Sequence, residues 1–499
     1  MSRQQTGAST GPRTTREGVE RMSKMSNYRV TIGLEVHVQL KTKSKMFCAC
    51  STDFGAPPNT HVCPVCLGYP GSLPVMNREA IHLTVVTGLM LGCRINPFSK
   101  FDRKNYFYPD MPKNYQITQY DKPLCLGGYV DIEGEGKARR IGITRIHQEE
   151  DVAKNLHYAT WSGIDYNRAG VPLMEIVSEP DMETPAEAFA YLLALRQILV
   201  YAGVSDCNLE EGKMRCDVNV SIRPDGQKEL GTKAEIKNMN TFKGVFSALE
   251  YEIARQIDEV DAGRKIIQET RRWDADLGQT FSMRTKEDAH DYRYFPEPDL
   301  MPVVLSESQV AEWGATLPEL PAQRRERFVR EYGLPEYDAK VLAAEKAVGD
   351  YFETAARSSK NPKAVSNWVM SDVLRTLSEK NISITEFSIS AEALSELVDL
   401  TESKAINSNT ARTVFCLMLA EGGRAEAIVA ARGLAQVSDT AAIEKIVDQA
   451  IAENTKSVED YRKGKGAALK FLVGQVMRLS KGKANPEMVG VWLERKLSN

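Results

Sequence analysis

The stretch YRVTIGLEVHVQL, residues 28–40, alternates apolar and polar positions without a break. Tyr28, Val30, Ile32, Leu34, Val36, Val38 and Leu40 take one side; Arg29, Thr31, Gly33, Glu35, His37 and Gln39 take the other. A period of two over this length fits a strand with one oily and one polar face. The chain is therefore expected to build a sheet whose polar face carries Glu35 and His37 side by side.

Other segments repeat the pattern. In RCDVNVSIR, Cys216, Val218, Val220 and Ile222 oppose Asp217 and Asn219; in TKAEIKN, Ala234 and Ile236 oppose Lys233, Glu235 and Lys237. Glu149, Glu150 and Asp151 close RIGITRIHQEED, and Glu175 lies in PLMEIVSEPD. Taken singly, such acids are solvated surface groups. Gathered on one sheet face they repel one another unless a cation intervenes, and oxygen ligands with few imidazoles suit Mg(II). Mg(II) keeps waters and binds substrate phosphates, so the pattern points to phosphoryl transfer. The sequence has no G-x-x-x-x-G-K-[ST] loop, no G-x-S-x-G elbow, no H-E-x-x-H and no dinucleotide fingerprint. ATP chemistry here would need a sheet-based site.

Nine cysteines, four of them within residues 48–66, do not form the even framework of a secreted disulfide protein, which favours a reducing compartment. Cys48-x-Cys50 and Cys63-x2-Cys66 are two hooks twelve residues apart. Four thiolates close a tetrahedral Zn(II) site and leave no open position, so the metal would be structural. Inert or reversibly oxidised cysteines are the alternative, and His61 is an alternative ligand.

The formal charge of −3 over 499 residues gives no global sign of a polyanion partner. The longest apolar run, AIHLTVVTGLMLGC, falls short of the ~18 residues a spanning helix needs, so no membrane association is expected. Residues 1–26 read as a disordered tail or an overcalled start, although their Arg, Ser and Thr content partly fits an organellar transit peptide; the cytoplasm is the expected location otherwise. The fold class is α+β: a β-rich domain over residues 27–316, a helical domain over 317–430 and a helical tail over 431–499. Within the first domain, Asn77 caps one helix. Thr184 and Glu187 form a capping box on another, with Pro185 at its first position and Gly203 after its end. Residues 455–499 hold ten Lys or Arg against four Asp or Glu. At 100° per residue, Lys463, Lys470, Arg478 and Lys481 fall within roughly 80° of one another, opposite Leu469, Leu472, Val473, Val476 and Leu479. Such a face suits the phosphate backbone of folded RNA, or is simply a solvated charged face.

From about residue 28 onward the chain resembles the B subunit of the tRNA-dependent amidotransferases that act on Asp-tRNA(Asn) and Glu-tRNA(Gln). The resemblance is carried by IGLEVHVQL, KFDRKNYFYPDMPKNYQITQ, GITRIHQEED, DYNRAGVPLMEIVSEPD, GTKAEIKNMN, QETRRWD, DYRYFPEPDL and the tail GKGAALKFLVGQVMRLSKGKANP. It implies a cradle-shaped β domain related to glutamine synthetase, a helical middle domain and a YqeY-like tail that binds tRNA. It also implies use of ATP and Mg(II) to phosphorylate the side-chain carboxylate of Glu or Asp mischarged on tRNA. The resulting acyl phosphate would be displaced by ammonia from an amidase, the A component of the complex, with a small C component completing a heterotrimer. Carried across, the magnesium ligands fall on His37, Glu150 and Glu175, with Glu35, Asp217 and Glu235 lining the same catalytic pocket. His147 is kept as a structural histidine, and Cys48, Cys50, Cys63 and Cys66 match the family's zinc hook. Arg145, Arg168, Lys237, Arg271 and Arg272 are unranked candidates for nucleotide contact. The alternative is a tRNA-binding scaffold with a structural cation site and no chemistry of its own.

Overall fold

The computed structural model describes residues 27–134, 137–239, 241–285, 292–435, 440–480, 484 and 486–497. The chain divides into two compact units, Met1–Leu320 and Pro321–Asn499. The first is built on strands β1 (Tyr28–Gln39), β2 (Lys137–Glu150), β3 (Pro172–Ser178), β4 (Met214–Pro224), β5 (Ala234–Met239), β6 (Glu269–Asp274) and β7 (Gln279–Thr285). Among the described residues these belong to a ten-stranded sheet in which the neighbours run β7-β6-β5-β4-β1-β3-β2, followed by short strands Cys125–Leu126 and Arg94–Ile95. Pairing is antiparallel except between β5 and β6.

The alternation in β1 decides what each face does. Ile32, Leu34, Val36 and Val38 are buried, on the side packed by helices α1 (Arg78–Met90), α2 (Pro185–Tyr201) and α3 (Phe242–Asp261). Burying a side chain of this size is worth about 1.5–3 kcal/mol, so slipping the register by one residue would cost the strand most of its stabilisation. The helix starts follow their local signals. The Asn77 side chain accepts from Glu79 N and Ala80 N; Thr184 and Glu187 close a capping box with Pro185 in the first turn. Past the end of α2, Gly203 takes φ +66°, where a side chain would be strained.

The second unit is helical and holds two separate apolar cores. One is built by residues from Phe328 to Val429 and the other by residues from Ile443 to Leu497. In the latter, Leu472 and Val476 are fully buried, with Leu469, Val473 and Leu479 packed beside them. The basic face is not carried by one helix, however. Helix Thr455–Arg462 ends at Lys463, Gly464 takes φ +88°, and a new helix runs Ala467–Leu479. Lys470 and Arg478 are exposed on that second helix, whereas Lys463 caps the first, 3.8 Å from Glu459. Lys481 lies outside the described residues. No helix among the described residues is long and apolar enough to cross a membrane.

Candidate active site

The polar face of the sheet brings its chemistry together through register. Glu175 on β3 pairs with His37 on β1 on one side and with His147 on β2 on the other, and His37 pairs in turn with Arg215 on β4. Residues directly opposite across antiparallel strands share a face, so these four form one row. His37 Nε2 lies 3.2 Å from Glu175 Oε2, and His147 Nε2 lies 3.3 Å from Glu149 Oε1 and 3.9 Å from Glu175 Oε2. One ligand atom each from His37, Glu149 and Glu175 falls within 4.8 Å of the others.

Glu150, expected in that group, is not in it. Its side chain leaves the opposite face, where Lys113 Nζ donates to it at 2.5 Å and Ile117 N at 2.9 Å. Glu149 takes the place at the polar face, accepting from Thr118 Oγ1 at 2.8 Å and from Gln116 Nε2 at 3.1 Å. The reason is the pleat: neighbouring residues of a strand point to opposite sides. His147, expected to be structural, stands beside the group, within hydrogen-bond distance of Glu149 and 3.9 Å from Glu175.

Charge is tightly balanced here. Burial pushes the Glu149 carboxyl up, but Lys104 and then His147 outweigh it and hold the group at about 2. Burial acts on Glu175 likewise, and His147 and His37 bring it well below the usual carboxylate range. Burial lowers His37, but the Glu175 carboxylate more than offsets this and raises it. Two ionised carboxylates and an imidazole converging at these distances fit a hard divalent cation such as Mg(II).

A cavity of about 310 Å³ opens onto this cluster, lined by His37, Glu149, Lys104, Arg215, Asp217 and Tyr292 among others. Lys104 and Arg215 were missed from the sequence. Lys104 sits on a short strand, Asp102–Asn105, of a separate three-stranded sheet, and nothing local announces where that strand docks. Asp217 accepts from Lys237 Nζ at 2.5 Å, Glu35 accepts from Asn219 Nδ2 at 2.9 Å, and Glu235 accepts from Thr270 Oγ1 at 2.9 Å. All three share the polar face, and Asp217 also lines the cavity. Of the basic candidates, Arg168 donates to the Val152 and Ala153 carbonyls and Arg271 is held by Glu252 and Thr280, so both are tied into structure. Arg145 Nε is buried and has no hydrogen-bond partner among the described residues.

The four cysteine sulfurs of the hook lie within 4.8 Å of one another, and no disulfide joins them. Cys63 N donates to Cys66 Sγ at 3.2 Å, and Lys45 Nζ lies 3.6 Å from the same sulfur. The Cys48 thiol donating to it, helped by the Cys63 backbone and Lys45, brings the Cys66 thiol down to about 4 against the effect of burial. Four gathered sulfurs, one of them already favoured as thiolate, fit Zn(II). His61 contributes its backbone N–H to Asn167 Oδ1 at 2.8 Å and is not part of the sulfur cluster.

A β-rich unit with an imidazole and carboxylate cluster on its sheet is followed by a helical unit, and sequence matches across both show that the chain belongs to the GatB family. The family described as "GatB/GatE catalytic domain" matches residues 30–311, and that described as "GatB domain" matches residues 350–497. The chain is similar to the B subunit of the aspartyl/glutamyl-tRNA(Asn/Gln) amidotransferase of Carboxydothermus hydrogenoformans, at 54% identity over 95% of this chain and 100% of the relative. It is also similar to proteins of the same name from Caldanaerobacter subterraneus (55% identity, 94% of this chain, 99% of the relative) and Oleidesulfovibrio alaskensis (52%, 95% and 100%).

Proposed function

We propose that the chain is the carboxylate-activating component of an amidotransferase that converts Glu-tRNA(Gln), Asp-tRNA(Asn) or both to the amidated form at the expense of ATP. The observation that carries this reading is the convergence of His37, Glu149 and Glu175, the first two of which line a cavity together with Lys104 and Arg215. A carboxylate is a poor electrophile, and transfer of the ATP γ-phosphoryl group to it creates an acyl phosphate with a good leaving group. Ammonia then displaces phosphate and leaves the amide. A bound Mg(II), held by His37, Glu149 and Glu175, would screen the phosphate charge as the two anions approach.

The chain's own side chains do the positioning. His147, Thr118 and Gln116 fix the Glu149 carboxylate, and His37 lies against Glu175. Lys104 supplies positive charge beside them, and the wall formed by Tyr292 narrows access to water. The sheet thus serves as a cradle of the glutamine synthetase kind, and the zinc hook braces its edge. Ammonia comes from a glutamine-hydrolysing amidase component, and a small third component completes the heterotrimer, in the bacterial cytoplasm. The exposed Lys470 and Arg478 belong to a tail domain that holds tRNA by its phosphates.

The test is positional isotope exchange in ATP. With partner proteins, mischarged tRNA and Mg(II) present, bridge-to-nonbridge oxygen scrambling is expected in the β,γ linkage and should vanish when uncharged tRNA is used. Amidation proceeding without ATP consumption would remove the reading and favour a tRNA-binding scaffold.

A further inference from the structure

Arg215 projects from β4 on the polar face of the sheet. It stands beside His37 in the register and lines the cavity with it. Its Nη2 donates to Asp151 Oδ1 at 2.8 Å, and that carboxylate is itself almost fully buried. Asp151 in turn is fixed by Gln39 Nε2 at 2.7 Å, by Val152 N at 2.9 Å and by Arg168 Nε at 3.7 Å. One edge of the guanidinium is therefore anchored on an immobile pedestal, while about a third of the side chain, 35%, stays open to the cavity. A planar cation held in this way is pre-organised for a carboxylate, which it meets through parallel N–H donors.

We infer that Arg215 holds the side-chain carboxylate of the aminoacyl group and so distinguishes the acid substrate from its amide product. This rests on the function proposed above. The reaction leaves the ester to tRNA unchanged and replaces one carboxylate oxygen by nitrogen, so the charge lost is the charge Arg215 would read. A charge-assisted pair is about twice as strong as its neutral counterpart, so the grip weakens as the amide forms and product leaves. Lys104, a point charge against Glu149 and Glu175, lacks the fork geometry and suits phosphate oxygens instead.

The experiment measures binding of the assembled amidotransferase to Glu-tRNA(Gln) and to Gln-tRNA(Gln), with the KM for ATP measured in parallel. The natural chain should prefer the acid form by about tenfold. Arg215→Met should abolish that preference while leaving affinity for the amide form and the KM for ATP within about twofold; Arg215→Lys should restore part of it. A preference that survives in Arg215→Met, or is absent from the natural chain, overturns the inference. So does an ATP KM raised about tenfold with the preference intact, which would make Arg215 a phosphate ligand. Failure of the function itself shows separately, as a natural complex that amidates without consuming ATP.

Discussion

Glu149 and Glu150, adjacent in sequence, leave opposite faces of β2: Glu149 lies 3.3 Å from His147, and Glu150 takes Lys113 Nζ at 2.5 Å on the far side. The two acids should therefore respond differently to the same change. Glu149→Gln is expected to weaken Mn(II) binding, read by electron paramagnetic resonance, by at least about tenfold with little change in folding. Glu150→Gln should leave Mn(II) affinity within about twofold and instead lower stability, because it leaves the half-buried Lys113 without its charged partner. Equal losses of Mn(II) affinity would refute this division.

This pair also shows why part of the site was hidden. The alternation in β1 placed Glu35 and His37 correctly on the polar face, and the same logic put Asp217 and Glu235 there. In β2, counting from the buried Ile141 and Ile143 would put Glu150 on the polar side. A bulge intervenes: Val177 pairs with Arg145 but Ser178 with Ile143, so one extra residue shifts the alternation and Glu149 arrives instead. Its trace in β2 is Ile146, which is buried out of phase with Ile141 and Ile143, three residues after the latter instead of two. Lys104 was missed for a related reason, since its role comes from the docking of a separate sheet, whereas Arg215 opens RCDVNVSIR and shares the alternation that places Asp217. The two-helix break falls at Gly464 and Gly466, and a glycine inside a continuous helix costs about 1 kcal/mol relative to alanine.

The sulfur hook should hold about one zinc per chain. Cys63→Ser is expected to bring zinc content well below that and to increase hydrogen exchange where the hook loop meets Asn167, whose Nδ2 donates to the Pro57 carbonyl at 2.8 Å. A zinc content unaffected by the substitution would show that the four sulfurs are not a metal site.

Acid should loosen the helical unit through Glu353. Its carboxylate accepts from Arg327 at 2.7 Å, Arg357 at 2.6 Å and Arg324 at 3.1 Å. The Arg327 bond foremost, aided by the charges of all three arginines, holds the group at about 2 against an ordinary 4.5. The unfolded chain thus takes up this proton first as pH falls. The stabilisation is complete above the ordinary value and is lost as pH drops from there through about 2. Glu353→Gln should cost about 3 kcal/mol at neutral pH and flatten that acid limb, read by hydrogen exchange in helix Lys346–Ser358. An unchanged acid limb would contradict the assignment.

Lys470 and Arg478 are exposed on the last but one helix and should contact phosphates. Charge reversal at both is expected to weaken tRNA binding at low salt and to reduce the slope of log K against log salt by about 1.4–1.8. Sequence discrimination among tRNAs should be little altered, and an unchanged salt slope would place the RNA elsewhere.

The most direct test is amidation of mischarged tRNA by the assembled complex with ammonium supplied externally, comparing the natural chain with Glu149→Gln and Glu175→Gln. Supplying ammonium removes any dependence on glutamine hydrolysis. A fall of at least about a hundredfold in ATP-dependent turnover, with tRNA affinity held within about twofold, is the predicted result. Turnover surviving in both variants would contradict the account, because the sheet face would then be no more than a place where charges are stored.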